Sequence, residues 1–249
     1  MIRDQETLNQ LVDMIRQFVE GVLIPHENEV AETDEIPPDI VEQMKALGLF
    51  GLTIPEEYEG LGLTMEEEVY VAFELGRTSP AFRSLIGTNN GIGSSGLIID
   101  GTEAQKSFFL PRLARGEVIS SFCLTEPDAG SDAASLKTSA VKDGDFYVLN
   151  GTKRFITNAP HAATFTVMAR TNPDIKGSGG ISAFLVEAKL RAFLLANAIK
   201  KWGKKAHIPV TLFSKIVASL LPHSLVVLKV LVLKQPCKYS IKAACILRL

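Results

Sequence analysis

The sequence predicts an α+β protein, in which an N-terminal α-helical domain is followed by an antiparallel, barrel-like β-domain and an irregular tail. Two observations lead to this prediction. Up to Gly116 the apolar residues recur with a period close to 3.6, and afterwards the period falls to 2. Beyond residue 188 the acidic residues stop altogether. The helical domain, the β-domain and the tail are therefore expected at 1–118, 119–188 and 189–249.

The first two helices are indicated by apolar spacing and by helix-ending residues. From Leu8 to Val22 the apolar residues follow the i, i+3, i+4, i+7 pattern, which predicts a one-faced helix that stops before Pro25. A second helix is expected over 39–47 and is ended by Gly48.

Two later helices are indicated by their N-terminal signals. Thr64 with Glu67, and Thr102 with Gln105, have the spacing of a capping box, so a helix is predicted to begin behind each threonine. The stretch 89–96, NNGIGSSG, is rich in small residues. By itself this composition suits a plain loop and the start of a helix.

Six short strands are predicted in the β-domain from alternating apolar residues. Turns are expected at Asp143-Gly144, the stronger hairpin signal, and at Asn150-Gly151. The predicted strands are 119–125, 135–142, 145–151, 152–157, 164–171 and 181–187.

The stretch 119–132, ISSFCLTEPDAGSD, contains a candidate cofactor loop. Pro127 fixes its own φ, and Gly130 permits the positive φ that lets backbone approach a flat ligand. Thr125 and Ser131 add hydroxyl groups. A neutral heteroaromatic ring needs such hydrogen bonds along one edge, and flavin fits that description. An ordinary solvated turn between two strands is the alternative.

A second candidate segment is 152–160, TKRFITNAP, which we interpret as a short strand that ends in a turn. Phe155 and Thr157 are two residues apart, so on a strand both side chains lie on one face. An aromatic ring and a hydroxyl group would then meet one side of a bound ring. A core phenylalanine beside a surface threonine is the alternative.

With these two motifs, TEPDAGSD and FIT, the chain resembles the acyl-CoA dehydrogenase family. The segment 101–117, GTEAQKSFFLPRLARGE, also resembles the helix that precedes the family's β-domain, and the resemblance covers 1–188. It implies α,β-dehydrogenation of acyl-CoA thioesters with hydride transfer to FAD. It also implies cofactor contacts from Phe122, Cys123, Leu124, Thr125, Gly130, Ser131, Phe155, Ile156 and Thr157.

The resemblance also implies individual roles. Thr125 is expected near the flavin pyrimidine edge and Thr157 near N5, while Ser131 also contacts the CoA portion of the substrate. Asp128 stands where many members have glycine. This mild departure affects how closely the backbone can approach the flavin at that one position. In the family the 89–96 region lines the acyl cavity.

No residue of the chain receives the role of catalytic base. The family's carboxylate comes from a C-terminal helical bundle, and Glu126 and Glu187 are interpreted as structural. Full-length members are expected to form homotetramers and to pass electrons to an electron-transfer flavoprotein or a similar acceptor. We therefore predict that these 249 residues by themselves are inactive.

Composition excludes several other classes. The three cysteines and four histidines lack metal-ligand spacing, and no nucleophile is grouped with a base, so neither a metal site nor a hydrolase triad is indicated. The N-terminal MIRDQETLNQ is polar and acidic, which indicates no signal or transit peptide and makes the cytoplasm the expected location.

The tail 189–249 has an abrupt charge bias. All 28 acidic residues lie at or before Glu187, so the formal charges of the two parts are about −14 and +12. Such a basic, apolar tail favours an acidic partner or a membrane surface. The alternative function is therefore a non-catalytic remnant that binds flavin or CoA and attaches through its tail; no nucleic-acid role is predicted.

A shifted reading frame offers a different explanation of the tail. Codons for 199–208, read one nucleotide earlier, permit DKKMGQKGAH, which resembles the family's continuation, and 211–217 and 240–248 permit similar matches. We hypothesise a one-nucleotide deletion near Ala188, which the coding DNA can check. On this hypothesis 211–217 is not expected to form a family-like strand against the β-domain.

Overall fold

The computed structural model describes residues 5–143, 146–188, 193–201, 204–219 and 230–231, with the backbone alone for residue 146 and for those after 188. The chain divides into two compact units. The first is built mainly from residues up to 119 and is helical, and the second is built mainly from later residues and contains a sheet. The order of helices before strands is therefore confirmed.

The first unit contains seven α-helices within the described residues. Both predicted capping boxes are confirmed, because Thr64 and Thr102 each accept the N–H of the third helical residue, whose side chain accepts the threonine N–H in return. The helices are α1 Gln5–Phe18, α2 Glu27–Thr33, α3 Pro38–Ala46, α4 Met65–Leu75, α5 Pro80–Asn90, α6 Ser95–Asp100 and α7 Glu103–Ala114.

The first α-helix ends at Phe18, before Pro25 as predicted, but helical turns of other types follow it. A π-helical turn, Val19–Leu23, and a 3-10 turn, Ile24–His26, lie between α1 and α2. The Ile24 N–H reaches back to the Val19 carbonyl, and the Glu27 N–H to the Ile24 carbonyl. These changes in hydrogen-bond spacing accommodate a residue that has no N–H to donate.

One apolar core holds the helical unit together. It combines the buried faces of α1, α3, α4 and α5 with aromatic side chains such as Phe50 and Phe82, both fully buried. Gly116 adopts a φ of 68° and lies so close to Phe50 that a Cβ would stand 2.8 Å from the ring. Within the described part of the chain, no helix combines the length and apolarity that crossing a membrane requires.

Among the described residues, eight strands form a mixed sheet with the order β6-β7-β3-β2-β4-β5-β8, and β1 lies beside β4. Neighbouring strands are antiparallel in four pairs, but β1 is parallel to β4. The strands are β1 Ser120–Cys123, β2 Ser139–Asp143, β3 Phe146–Lys153, β4 Thr164–Arg170, β5 Ile181–Glu187, β6 Phe193–Lys201, β7 Lys204–Ser219 and β8 Val230–Leu231.

The sheet differs from the predicted antiparallel, barrel-like domain in two ways. The segment between β1 and β4 contains the whole β2–β3 hairpin, and a crossover of that length permits parallel pairing. A single parallel bridge also joins Ser139 to Arg170. Among the described strands, the hydrogen-bonded order runs from β6 to β8 without closing on itself. An open mixed sheet is therefore the observed architecture.

Of the two predicted hairpin turns, one joins two strands and the other lies inside a strand. Asp143 pairs with Phe146 across the β2–β3 hairpin, while Gly144 lies outside the described residues. Asn150-Gly151 lies within β3, so two predicted strands are one. A Cβ on Gly151 would stand 2.3 Å from the Thr138 Oγ1. This glycine therefore permits close packing rather than a turn.

A strand also covers 211–217, where no family-like strand was expected. These residues lie in β7, which pairs antiparallel with β3 and places Thr211 opposite Lys153. Thr211, Ile216 and Val217 are β-branched. Because sheet pairing is made by backbone groups and favoured by such residues, it does not require a side-chain pattern selected for one face.

Candidate functional site

The loop after β1 is a tight turn closed by two backbone hydrogen bonds. Glu126 N–H donates to the Ala129 carbonyl at 3.0 Å, and Ala129 N–H to the Glu126 carbonyl at 3.3 Å. Pro127 occupies the first corner of this turn, a position that its fixed φ suits. Gly130 follows the closed turn and does not have a positive φ, so the conformational role predicted for it is wrong. Open space surrounds its Cβ position, which leaves its backbone accessible.

The second segment is not the alternating strand that was predicted. β3 ends at Lys153, and Phe155 and Asn158 have φ values of 60° and 62°. A positive φ is uncommon for a phenylalanine and marks local strain. The two-residue spacing from Phe155 to Thr157 therefore does not place both side chains on one strand face.

The structure nevertheless brings the two candidate segments together. Arg154 N–H donates to the Thr125 carbonyl at 2.8 Å, and Ser121 Oγ donates to the Thr157 carbonyl at 2.7 Å. The loop and the end of β3 are thus joined at two points. Two sequence segments that are about thirty residues apart are therefore in direct hydrogen-bond contact.

A buried ion pair lies directly beneath this contact. Lys153 Nζ is 2.8 Å from Glu126 Oε1 and donates to the Leu124 carbonyl at 3.0 Å. The Lys153 side chain has no exposed surface, and that of Glu126 has 5 %. Residues 124–126 are therefore held by hydrogen bonds and an ion pair from the two consecutive residues Lys153 and Arg154.

The environment of Glu126 shows why it cannot act as a base. Burial alone raises the pKa of its carboxyl, but hydrogen bonds from Lys153, Thr138 and the Lys137 N–H outweigh that effect and lower the pKa below its usual range. All these donors already occupy the carboxylate oxygens. Burial likewise raises the pKa of the Cys123 thiol to about 12, so that thiol remains protonated and inert.

The candidate contact residues differ in what they can offer a ligand. Cys123 and Ile156 have buried side chains, so only their backbone is available. Phe122 and Leu124 pack against a small apolar cluster around Met168. These four residues therefore act mainly as support.

Hydroxyl groups and one aromatic ring remain available at the surface. Thr125 and Thr157 are half-buried and Ser131 is exposed, and their hydroxyl groups make no hydrogen bond to any other described residue. Phe155 is 41 % exposed, and the Arg154 guanidinium lies 4.6 Å from its ring centroid. Neutral hydroxyls beside a partly exposed aromatic ring are groups that fit the uncharged edge and face of a flavin.

The 89–96 region belongs to the helical unit and spans the end of α5, a turn and the start of α6. Asn89 is buried and donates to the carbonyls of Leu113 and Val118, at 3.0 and 2.8 Å. Asn90 donates to the Leu49 carbonyl at 2.6 Å. Both amides hold neighbouring segments together, and the cavity role of this region stays a prediction.

Sequence reasoning missed the contribution of Lys153, although one signal was present. Along β3, the two-residue period places Lys153 on the same face as the buried Leu149. A lysine on a core-facing position needs a buried acceptor. The acid in the neighbouring loop, Glu126, was the candidate.

Two family models match consecutive parts of the chain. The family model described as the N-terminal domain of acyl-CoA dehydrogenase matches residues 5–117, and the model for the middle domain matches 121–215. The second match continues past Ala188, where the sequence analysis ends the resemblance.

Curated relatives and solved structures point in the same direction. A (2S)-methylsuccinyl-CoA dehydrogenase from Cereibacter sphaeroides is 42 % identical over 73 % of this chain and 33 % of its own length. A short-chain-specific acyl-CoA dehydrogenase from Clostridium acetobutylicum is 35 % identical over 83 % of this chain and 53 % of its own. The structure of a glutaryl-CoA dehydrogenase from Mycobacterium smegmatis, in complex with FADH2, superposes with a TM-score of 0.80 at 27 % identity, covering 96 % of this chain and 58 % of that one.

The chain thus spans about half the length, or less, of the curated relatives described above. Its two consecutive domain matches extend over most of its own length. The resemblance inferred from the TEPDAGSD and FIT motifs is confirmed by them. On this basis, the chain belongs to the acyl-CoA dehydrogenase family.

Proposed function

We propose that residues 122–131 and 155–157 form a flavin-binding part of an acyl-CoA dehydrogenase, which catalyses α,β-dehydrogenation of acyl-CoA thioesters. Enzymes of this family are FAD-dependent oxidoreductases. The contact between Arg154 N–H and the Thr125 carbonyl supports the proposal most strongly, because it brings the two motifs to one surface. FAD supplies the hydride acceptor of this reaction.

In the proposed site the chain binds and orients the cofactor through neutral groups. The Thr125 hydroxyl would serve the pyrimidine edge and the Thr157 hydroxyl the region of N5. The Phe155 ring covers part of the flavin surface, while Gly130 and Ser131 offer backbone and hydroxyl contacts. Phe122, Cys123, Leu124 and Ile156 hold these groups in place from below.

Substrate and partners follow from the same proposal. We infer an acyl-CoA substrate that meets Ser131 through its CoA portion, and an electron-transfer flavoprotein or similar acceptor. A homotetramer is inferred for a full-length member.

No residue of these 249 is assigned as the base that removes the α proton, and we infer that they are inactive by themselves. The domain limits 1–118, 119–188 and 189–249 and a cytoplasmic location stay predictions.

Replacing Phe155 by alanine is expected to weaken FAD binding by about 3- to 10-fold, since aromatic stacking contributes about 0.5–1.5 kcal/mol. Quenching of flavin fluorescence during titration with the protein measures the Kd. Phe108 provides a matched control, because its ring is 43 % exposed and has Arg112 above it at 5.2 Å.

Phe108→Ala should leave the Kd for FAD unchanged, and circular dichroism should show that both variants remain folded. Equal Kd values for the wild type and Phe155→Ala would remove Phe155 from the proposed site. No saturable quenching by the wild-type chain at any attainable concentration would contradict the proposal that this chain binds flavin.

A further inference from the structure

The end of β3 carries a charge that has no contact with water. Lys153 is the last residue of the strand, directly before the 154–157 segment, and its side chain is fully buried. Its ammonium group reaches across to the loop and bonds on both sides of Thr125, to the Leu124 carbonyl and to the Glu126 carboxylate. The residue that offers the proposed pyrimidine contact is thereby held between two anchored neighbours.

The Glu126 carboxylate is itself anchored to a third segment. Its Oε2 accepts the Lys137 N–H at 2.6 Å, and its Oε1 accepts the N–H and the hydroxyl of Thr138, the former at 2.9 Å. Thr138 immediately precedes β2. The pair therefore joins the loop, the start of β2 and the end of β3 at one point.

Two buried charges are not needed merely to fill this space. An ion pair gains little over well-packed apolar side chains of similar volume, because desolvation of both groups offsets their attraction. Directional bonds to fixed acceptors, in contrast, define one alignment of residues 124–126 against 153–154. An apolar contact would allow the two segments to slide along each other. Alignment of the two segments is thus what this arrangement adds.

We propose, on the basis of the flavin site inferred above, that Lys153 and Glu126 are a positioning pair. Together they fix Thr125 against Arg154 and so set the separation between the Thr125 hydroxyl and the Phe155–Thr157 segment before any cofactor binds. Neither side chain touches the cofactor in this proposal. Their effect is transmitted through the backbone of residues 124–126 and 153–154.

The double variant Lys153→Met/Glu126→Gln tests the pair without leaving an unpaired buried charge. Lys137→Met is the matched control, because Lys137 forms an exposed ion pair with Asp128 in the same loop region, at 3.1 Å and with both side chains more than 70 % exposed. Its backbone N–H, which bonds Glu126, is retained. Both variants are compared with the wild-type chain.

Amide hydrogen exchange in the cofactor-free protein is the first measurement. In the double variant the Arg154 amide, which donates to the Thr125 carbonyl, should exchange about tenfold faster or more, whereas amides of β4 and β5 in the same sample should change less than about twofold. Lys137→Met should change the exchange rates of neither the Arg154 amide nor the β4 and β5 amides. An unchanged exchange rate of the Arg154 amide in the double variant would overturn the proposal. Equal acceleration of the Arg154, β4 and β5 amides would also overturn it, in favour of a merely structural pair.

The Kd for FAD is the second measurement. It should rise by about tenfold or more in the double variant and stay within about twofold in Lys137→Met. Faster exchange of the Arg154 amide with an unchanged Kd for FAD would also overturn the proposal. The pair would then fix the loop without positioning the side chains that are proposed to contact FAD. If the wild-type chain binds no FAD, the proposed function fails, while the exchange measurement still decides whether the pair aligns the two segments.

Discussion

Acyl-CoA oxidation by the 249 residues alone is expected to be undetectable. General-base catalysis contributes about 10²- to 10⁴-fold, and the α proton of a thioester is too weakly acidic to leave without it. Glu126 lies within the proposed flavin segment 122–131, and its oxygens are fully engaged by Lys153, Thr138 and the Lys137 N–H. Dye-coupled oxidation of a panel of acyl-CoAs measures the activity. The flavin absorbance ratio of each preparation measures its flavin content.

A longer gene provides the positive control for that experiment. It restores the alternative reading frame after Ala188 and continues through a C-terminal bundle of the family. Its product is expected to be yellow and active. Flavin-dependent turnover by the 249-residue chain would contradict our account and would place a base among the acids before Ala188.

Lys153→Met is expected to lower the free energy of unfolding by about 3–5 kcal/mol, since removing one partner of a buried pair leaves the other charge uncompensated. The uncompensated group would be the carboxylate of Glu126, whose side chain is 5 % exposed. A loss of this size is a large part of the 5–15 kcal/mol that is typical of a folded domain. Urea denaturation followed by circular dichroism measures it.

The same lysine-to-methionine change at Lys137 should cost less than about 1 kcal/mol, because that ion pair is exposed. Adding Glu126→Gln to Lys153→Met should recover part of the lost stability. Equal unfolding curves for Lys153→Met and Lys137→Met would show that the buried contact does not form as described.

Features set by short-range chemistry were predictable from the sequence. The capping boxes at Thr64 and Thr102 depend on groups three residues apart, and both form. β5 coincides with the predicted 181–187, where an apolar run follows Gly179-Gly180. In these places no distant segment competes with the local preference.

Features decided by distant partners were not predictable. The parallel pairing of β1 with β4 depends on a crossover of some forty residues, and Asn150-Gly151 lies in β3 because Thr138 of a neighbouring segment approaches Gly151 closely. Phe155 has a positive φ directly after Arg154, whose N–H bonds the distant Thr125 carbonyl. Alternation along a strand therefore predicted the wrong backbone for one of the two candidate segments.

The most direct test of the central claim, that two separate motifs form one flavin site, is an amide NMR titration of the isotope-labelled chain with FAD. Because chemical shifts detect weak binding, a reduced affinity does not prevent the measurement. We predict that amides within 122–131 and 155–157 shift together and follow one binding curve. Shifts confined to one segment, or centred elsewhere in the chain, would contradict it.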